Sequence, residues 1–379
     1  EAWSAEIGVA LRDVKEMMRH VAGWMRTERV GAPLIVQPGR GEIYKDPLGV
    51  VLIISAWNYP FNLVVAPLLG AIAAGNAIII KPSEVAAHTS SLIAQLVADY
   101  LDADAIRVVE GGIPETTALL AERFDHILYT GNGTVGRIVM TAAAKYLTPV
   151  TLELGGKSPC YVHKSSDLKT TCRRIAWGKF TNAGQTCIAP DYVLIDESIH
   201  DQFVAQLVQT VRTFYGENPQ EGQRFCRIIN ERHFDRLMRL TNSGTAVMGG
   251  HGDRDDRYIA PTLLTDVDPE SPVMADEIFG PILPILKVSG EDEAVSFING
   301  RAKPLALYIF TGESLIADQM LTRTSSGGAT VNHTMLHFAV SDLPFGGVGE
   351  SGMGAYHGRA SFDTFSHRKS VLRKPFMID

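Results

Sequence analysis

The residues of this chain whose types and spacing suit chemistry are one cysteine and a set of acidic and basic side chains set in short, distinctive segments. Cys187 lies in FTNAGQTCIAP (180 to 190), Glu153 lies 34 residues upstream in TLELGGKSP, and Glu277 lies 90 residues downstream in DEIFGP. A thiol attacks a carbonyl only as thiolate, so its surroundings or a nearby base must take its proton. One carboxylate can activate water and another can hold a sugar. This trio suits covalent oxidation of an aldehyde. Read alone, Cys187 is better taken as a small buried hydrophobe, as most unpaired cysteines are, and it is the surrounding GQTC and the distant motifs that reverse this. Glu153 ends an apolar strand before Gly155 and Gly156, where it is either a base projecting into a cleft or a strand-end charge in solvent.

A second group reads as a nucleotide site. KPSE follows the strand AIIIKP, so Lys81 and Glu84 stand near a strand's carboxyl end, where ribose hydroxyls are expected in a parallel sheet. Lys81 donates and Glu84 accepts in this reading, and the charge of Glu84 repels a 2′-phosphate, which favours NAD over NADP. Residues Gly131, Asn132, Gly133, Thr134, Val135 and Gly136 form GNGTVG between the strand HILYT and the helix TVGRIVM, the setting in which GxGxxG receives a pyrophosphate.

Together with WNYPFN (57 to 62), KPSE, PFGGVGESGMG (344 to 354) and YHGRASFDTFSHRKS (356 to 370), the three segments around Glu153, Cys187 and Glu277 resemble the aldehyde dehydrogenase superfamily, in its class 3 branch of cytosolic class 3 and fatty aldehyde enzymes, over nearly the whole chain. The resemblance implies that Asn58 and the Cys187 N–H hold an oxyanion, although an Asn before Tyr59 and Pro60 also suits an ordinary turn. It implies that Glu277 binds the nicotinamide ribose and that Phe279 packs beside the ring. Relatives that pass the acyl group to coenzyme A typically lack a Glu at the position of Glu153, so release of a free acid is expected. Where the family usually has GST, this chain has Gly131, Asn132 and Gly133, which leaves the serine contact open. His333 to Val340 falls where the family builds one wall of a substrate tunnel, with Tyr59, Leu63, Thr186, Ile188 and His333 as lining. Some class 3 relatives accept NADP as well as NAD. A homodimer is implied, built through a small bridging element, as is a missing amino-terminal helical segment. No metal is expected: His333 and His337 have HxxxH spacing, but HExxH and paired cysteines are absent from the sequence and hydride transfer to nicotinamide needs no zinc.

The elements that must position these residues follow from the pattern. The chain has 379 residues, 45% of them hydrophobic, which is more than one ordinary domain. A net charge of -7 gives no footprint for nucleic acid. Four cysteines without CxxC spacing fit free thiols in a reducing, cytoplasmic setting, with Cys160 and Cys172 as packing residues. The N-terminus does not read as a secretory signal. The charge-free run from Pro47 to Ile80 is broken by prolines, asparagines and glycines into strand, loop, short helix and strand rather than a membrane span, and a longer, membrane-anchored form stays open.

β-branched runs alternate with helical patterns from residue 47, and the same style restarts after Glu153. The fold class is therefore α/β: a Rossmann-like parallel-sheet cofactor domain at 1–153 with a bridging hairpin at about 31–46, a second α/β catalytic domain at 154–355, and a C-terminal bridging segment at 356–379 that pairs with the hairpin. The function expected is oxidation of medium-chain aliphatic or aromatic aldehydes to carboxylic acids with NAD, NADP being accepted in addition. A thiol esterase using the same Cys187, and a non-catalytic structural protein on the same fold, are the alternatives.

Overall fold

The computed structural model describes residues 2–222 and 224–376. It is α/β, and its chain forms two compact units. One comprises Ala2–Leu152, Ser341–Phe345 and the chain from Gly354, and the other comprises Glu153–Val340 and Gly346–Met353.

In the first unit the strands Val150–Glu153, His126–Thr130, Val50–Ile54, Ala77–Lys81 and Ile106–Val108 lie side by side in that order, and the strand Val50–Ile54 pairs in parallel with both of its neighbours. Val51, Leu52 and Ile53 are wholly buried. A parallel strand covered on both faces needs a continuous apolar run, and VVLII supplies it. The charge-free stretch resolves into this strand, the helix Asn62–Ala73 and the strand Ala77–Lys81. Among the described residues no helix is long and apolar enough to cross a membrane. Asn76 ties the unit together: its Oδ1 accepts from the N–H groups of Leu48 and Gly49, and its Nδ2 donates to the carbonyls of Ala71 and Phe365.

A separate three-stranded antiparallel sheet places Arg40–Pro47 between Glu28–Val30 and Ser366–Arg373. Within the carboxyl-terminal run the strand Ser366–Arg373 pairs residue by residue, from Ser366 opposite Pro47 to Arg373 opposite Arg40. The hairpin expected within 31–46 needs correction, because its arms are Glu28–Val30 and Arg40–Pro47. Pro33 and Pro38 lack N–H donors, so the segment between them cannot form a ladder and becomes a connection containing a short 3-10 turn at Leu34–Val36.

The second unit is built on a seven-stranded sheet in the order Thr245–Met248, Thr262–Thr265, Ile282–Val288, Tyr192–Asp196, Pro159–Val162, Ala306–Phe310 and Gly328–Val331. Among the described residues its edge strand Thr245–Met248 pairs antiparallel with Thr262–Thr265 and the other pairs are parallel.

Candidate active site

The cysteine turn is shaped by backbone conformations that few residues tolerate. The helix Leu168–Phe180, capped by Asp167 Oδ1 accepting from Thr170 N–H at 2.8 Å, ends where Asn182, Ala183 and Gly184 adopt φ values of 52°, 52° and 74°. Such left-handed residues cost energy unless neighbours hold them in place. Gln185 does this. It is 3% exposed, and its Nε2 donates to the carbonyls of Asn182 at 3.0 Å and Arg227 at 3.1 Å while its Oε1 accepts from Ile229 N–H at 2.9 Å. Beyond Cys187, the Tyr308 hydroxyl donates to the Ile188 carbonyl at 2.5 Å. The cysteine is thereby fixed on both sides, and the residue as a whole is half-buried.

The turn meets the loop that carries Glu277. A Cβ on Gly184 would stand 2.3 Å from the Gly280 carbonyl oxygen, so only glycine permits this approach. The Glu277 loop is held by cations. Lys157 donates to Asp191 Oδ2 at 2.6 Å and to the carbonyls of Val273 at 2.8 Å and Asp276 at 3.1 Å, and Asp191 Oδ1 in turn accepts from Ile278 N–H at 3.1 Å. Arg236 reaches the Ile278 carbonyl at 2.5 Å from its other side. The Glu277 carboxyl lies over Gly155, where any Cβ would fall 2.1 Å from Oε2, and it accepts from Gly156 N–H. Burial, with the negative field of Asp191 second, pushes Glu277 up to about 8. Phe279 follows at φ 51°, a backbone strained for an aromatic residue.

Glu153 is the most unusual side chain of the unit. It is 2% exposed, and neither carboxyl oxygen has a hydrogen-bond partner among the described residues. Burial alone raises its pKa well above the ordinary value. A solvated strand-end charge, the bland reading of this residue, does not fit that environment. The Cys187 sulfur feels both carboxylates: burial first, then Glu277 and Glu153, push the thiol well up, while the N–H groups of Cys187 and Ile188 pull the other way. Three segments separated by up to 124 residues thus converge electrostatically on one sulfur.

In the first unit, the carboxyl ends of three adjacent strands present polar groups. Lys81 is 2% exposed, and its Nζ donates to the Pro82 carbonyl at 2.8 Å and to Glu84 Oε2 at 3.2 Å. The hydroxyls of Ser55 and Thr130, each following or ending a neighbouring strand, are buried without a partner among the described residues. Orphaned buried hydroxyls at strand ends fit a ligand that brings its own polar atoms, as a dinucleotide does. The GNGTVG segment has strand before it and the helix Gly133–Ala144 after it, and Asn132 Oδ1 caps that helix by accepting from Val135 N–H at 3.0 Å. Only the amide nitrogen of Asn132 is left to donate outward. Asn58 and Tyr59 precede the helix Asn62–Ala73, which buries Leu63.

His333 lies outside any helix, its ring edge-on to Trp177 at 5.6 Å, and His337 Nδ1 is 2.9 Å from Thr330 Oγ1. These two histidines therefore do not share a helix face. Thr186 and Ile188 are buried on either side of Cys187. Sequence reasoning missed Gln185, Lys157, Asp191 and Arg236. The first three stand within or beside the quoted motifs, as in GQTC, ELGGK and CIAPD, and so carried a signal. Arg236, midway along the helix Glu231–Leu240, carried none.

A model of the "Aldehyde dehydrogenase family" matches residues 3–371. "Aldehyde dehydrogenase, dimeric NADP-preferring" of Rattus norvegicus is 54% identical over 372 residues, which is 98% of this chain and 82% of that protein. "Aldehyde dehydrogenase family 3 member A2" of Macaca fascicularis is 54% identical over 373 residues, covering 98% of this chain and 77% of that protein. Among solved structures, "Substrate bound state of Staphylococcus Aureus AldH" superposes with a TM-score of 0.97 at 48% identity, covering 100% of this chain and 83% of that one. The convergence of a thiol, the buried carboxyl of Glu153 and the half-buried one of Glu277 and these matches along nearly the whole chain lead to one conclusion: the chain belongs to the aldehyde dehydrogenase family.

Proposed function

We propose that this protein oxidises medium-chain aliphatic or aromatic aldehydes to carboxylic acids with NAD or NADP, through a thioester on Cys187. The observation that carries the reading is Glu153, a buried carboxyl without a partner among the described residues whose field reaches the Cys187 sulfur. The Cys187 thiolate attacks the carbonyl carbon, and the carbonyl electron pair moves to oxygen, where the Asn58 side-chain amide and the Cys187 N–H receive it. When bound, the oxidised nicotinamide supplies a hydride acceptor and a positive charge. Loss of hydride from the carbon bonded to sulfur leaves a thioester. Glu153 takes a proton from water as its oxygen adds to that carbon, and collapse expels the thiolate and releases the acid. A raised pKa makes Glu153 the stronger base for this step once it is ionised.

Lys81, Glu84, the segment Gly131 to Gly136, Glu277 and Phe279 hold the dinucleotide in this reading, which makes the first unit the nucleotide unit and the second the catalytic one. The Lys81–Glu84 pair offsets part of the charge by which Glu84 repels a 2′-phosphate, which lets NADP be accepted beside NAD; an NADP preference is named for the rat relative. Tyr59, Leu63, Thr186, Ile188 and His333 line the aldehyde site. The protein acts as a homodimer, as the rat relative's name has it for that enzyme, and its four free cysteines suit the cytoplasm. A panel of aldehydes assayed with each cofactor by the absorbance of reduced nicotinamide tests the reading. Turnover of medium-chain and aromatic aldehydes is expected, and no absorbance increase with any aldehyde would overturn it.

A further inference from the structure

The helix Asn62–Ala73 begins four residues after Asn58, and its own sequence supplies no cap: the residue at the cap position is Phe61, whose side chain accepts no hydrogen bond. The first N–H groups of a helix need an acceptor, and a negative charge there also complements the helix dipole. Both are provided from 55 residues away. Glu6 Oε2 accepts from Phe61 N–H at 2.8 Å and from Asn62 N–H at 3.3 Å. Glu6 itself is placed by one π-helical turn, Trp3–Ile7, in which Gly8 N–H donates to the Trp3 carbonyl. A Cβ on Gly8 would stand 2.8 Å from that oxygen, so the wide turn depends on glycine. Isolated π-turns gather at functional sites, and this one delivers a carboxylate to the start of the Asn58 segment. Within the helix's first turn, the Tyr59 carbonyl accepts from Leu63 N–H at 3.0 Å, so the backbone next to Asn58 is continuous with the turn that Glu6 caps.

We propose that Glu6 is a positioning residue for the reaction: by capping the helix at Phe61 and Asn62 it fixes the backbone that aims the Asn58 amide at the developing oxyanion. The proposal rests on the assignment of Asn58 made above. Loss of the cap frees two N–H donors, the first turn frays, and Asn58 loses its aim while Cys187 and the nucleotide residues keep theirs.

The experiment compares the NADH burst rate, steady-state kcat/KM and NAD affinity of the parent, Glu6→Ala, Glu6→Gln, Asn58→Ala and the double variant Glu6→Ala/Asn58→Ala, all in the full chain. Glu6→Ala should slow the burst about 10- to 100-fold, the cost of a misplaced catalytic group, with NAD affinity unchanged. Glu6→Gln keeps an acceptor oxygen without the charge and should recover part of the rate. If Glu6 acts through Asn58, the double variant should be no slower than Asn58→Ala alone. Losses that multiply, or a parent burst rate in both Glu6 variants, would overturn the role of Glu6 while leaving Asn58 in place. A parent rate in Asn58→Ala would remove the oxyanion assignment and the proposal with it. Should Glu6→Ala fail to fold, the Glu6→Gln variant and its combination with Asn58→Ala carry the same comparison.

Discussion

Two side chains, Cys187 and Glu153, carry opposite problems. In the proposed reaction the sulfur must ionise where burial and two carboxyls resist it, and the carboxyl must act as a base where neither of its oxygens has a hydrogen-bond partner among the described residues. Replacing Glu153 by Gln keeps the shape and removes the base. The variant should therefore give a burst of NADH and then a slow steady state in rapid mixing, and equal steady-state rates in variant and parent would take Glu153 out of the hydrolysis step. The same substitution has a stability signature. Because burial raises the folded pKa of Glu153 above the ordinary 4.5, the folded state holds more protons than the unfolded state above that pH, and the parent loses stability as pH rises toward the folded pKa. Glutamine has no such loss. Melting temperatures from about pH 5 to about pH 8 should show the variant gaining on the parent as pH increases, and a constant difference would mean that Glu153 is solvated. Glu84→Gln removes a charge facing the expected 2′ position and should raise the NADP to NAD ratio of kcat/KM, whereas an unchanged ratio would place Glu84 away from the ribose.

At the scale of elements, the turn from Phe180 to Cys187 shows what a sequence carries and what it does not. GQTC was legible as a motif, and the alternation of β-branched and helical runs placed the strands of the first sheet and two of the seven strands of the second, Pro159–Val162 and Tyr192–Asp196, because a parallel strand covered on both faces is a nearly continuous apolar run. The strand after Glu153 was legible for the same reason, and the helix before Cys187 from its helical run SDLKTTCRRIAWGKF. The left-handed Ala183 was not, since alanine has no preference for that region and is held there only by its neighbours. Nor was the role of Gln185, whose three partners include backbone groups more than 40 residues away. Gln185→Ala leaves the half-buried Arg227 carbonyl and Ile229 N–H without this partner, and at about 1–3 kcal/mol for each unsatisfied buried group, less for groups that water can reach, it should lower stability by roughly 1–3 kcal/mol. Chemical denaturation measures this, and a change below about 1 kcal/mol would show that the turn holds itself. The hairpin was misplaced by a related limit. Proline marked where the chain could not pair, but the partner strand at Glu28–Val30 is exposed and polar on its flank and has no alternation to announce it.

For the whole molecule, the three-stranded antiparallel sheet bears on assembly. Leu34 and Ile35, on the connection beside it, are each 88% exposed, and Leu372 on its outer strand is half exposed. Apolar side chains left in water beside a regular sheet fit burial against a second copy. Light scattering should give the mass of a dimer for the parent and of a monomer for a Leu34→Glu, Ile35→Glu variant, and a dimeric variant would place the interface elsewhere. The most direct measurement of all is the rate of aldehyde-dependent NADH formation by Cys187→Ala. With the nucleophile gone and the nucleotide residues untouched, the rate should fall by roughly 10⁴ or more. A Cys187→Ala protein that oxidises aldehydes at the parent rate would show that this sulfur, and the two carboxyls converging on it, are not where the reaction takes place.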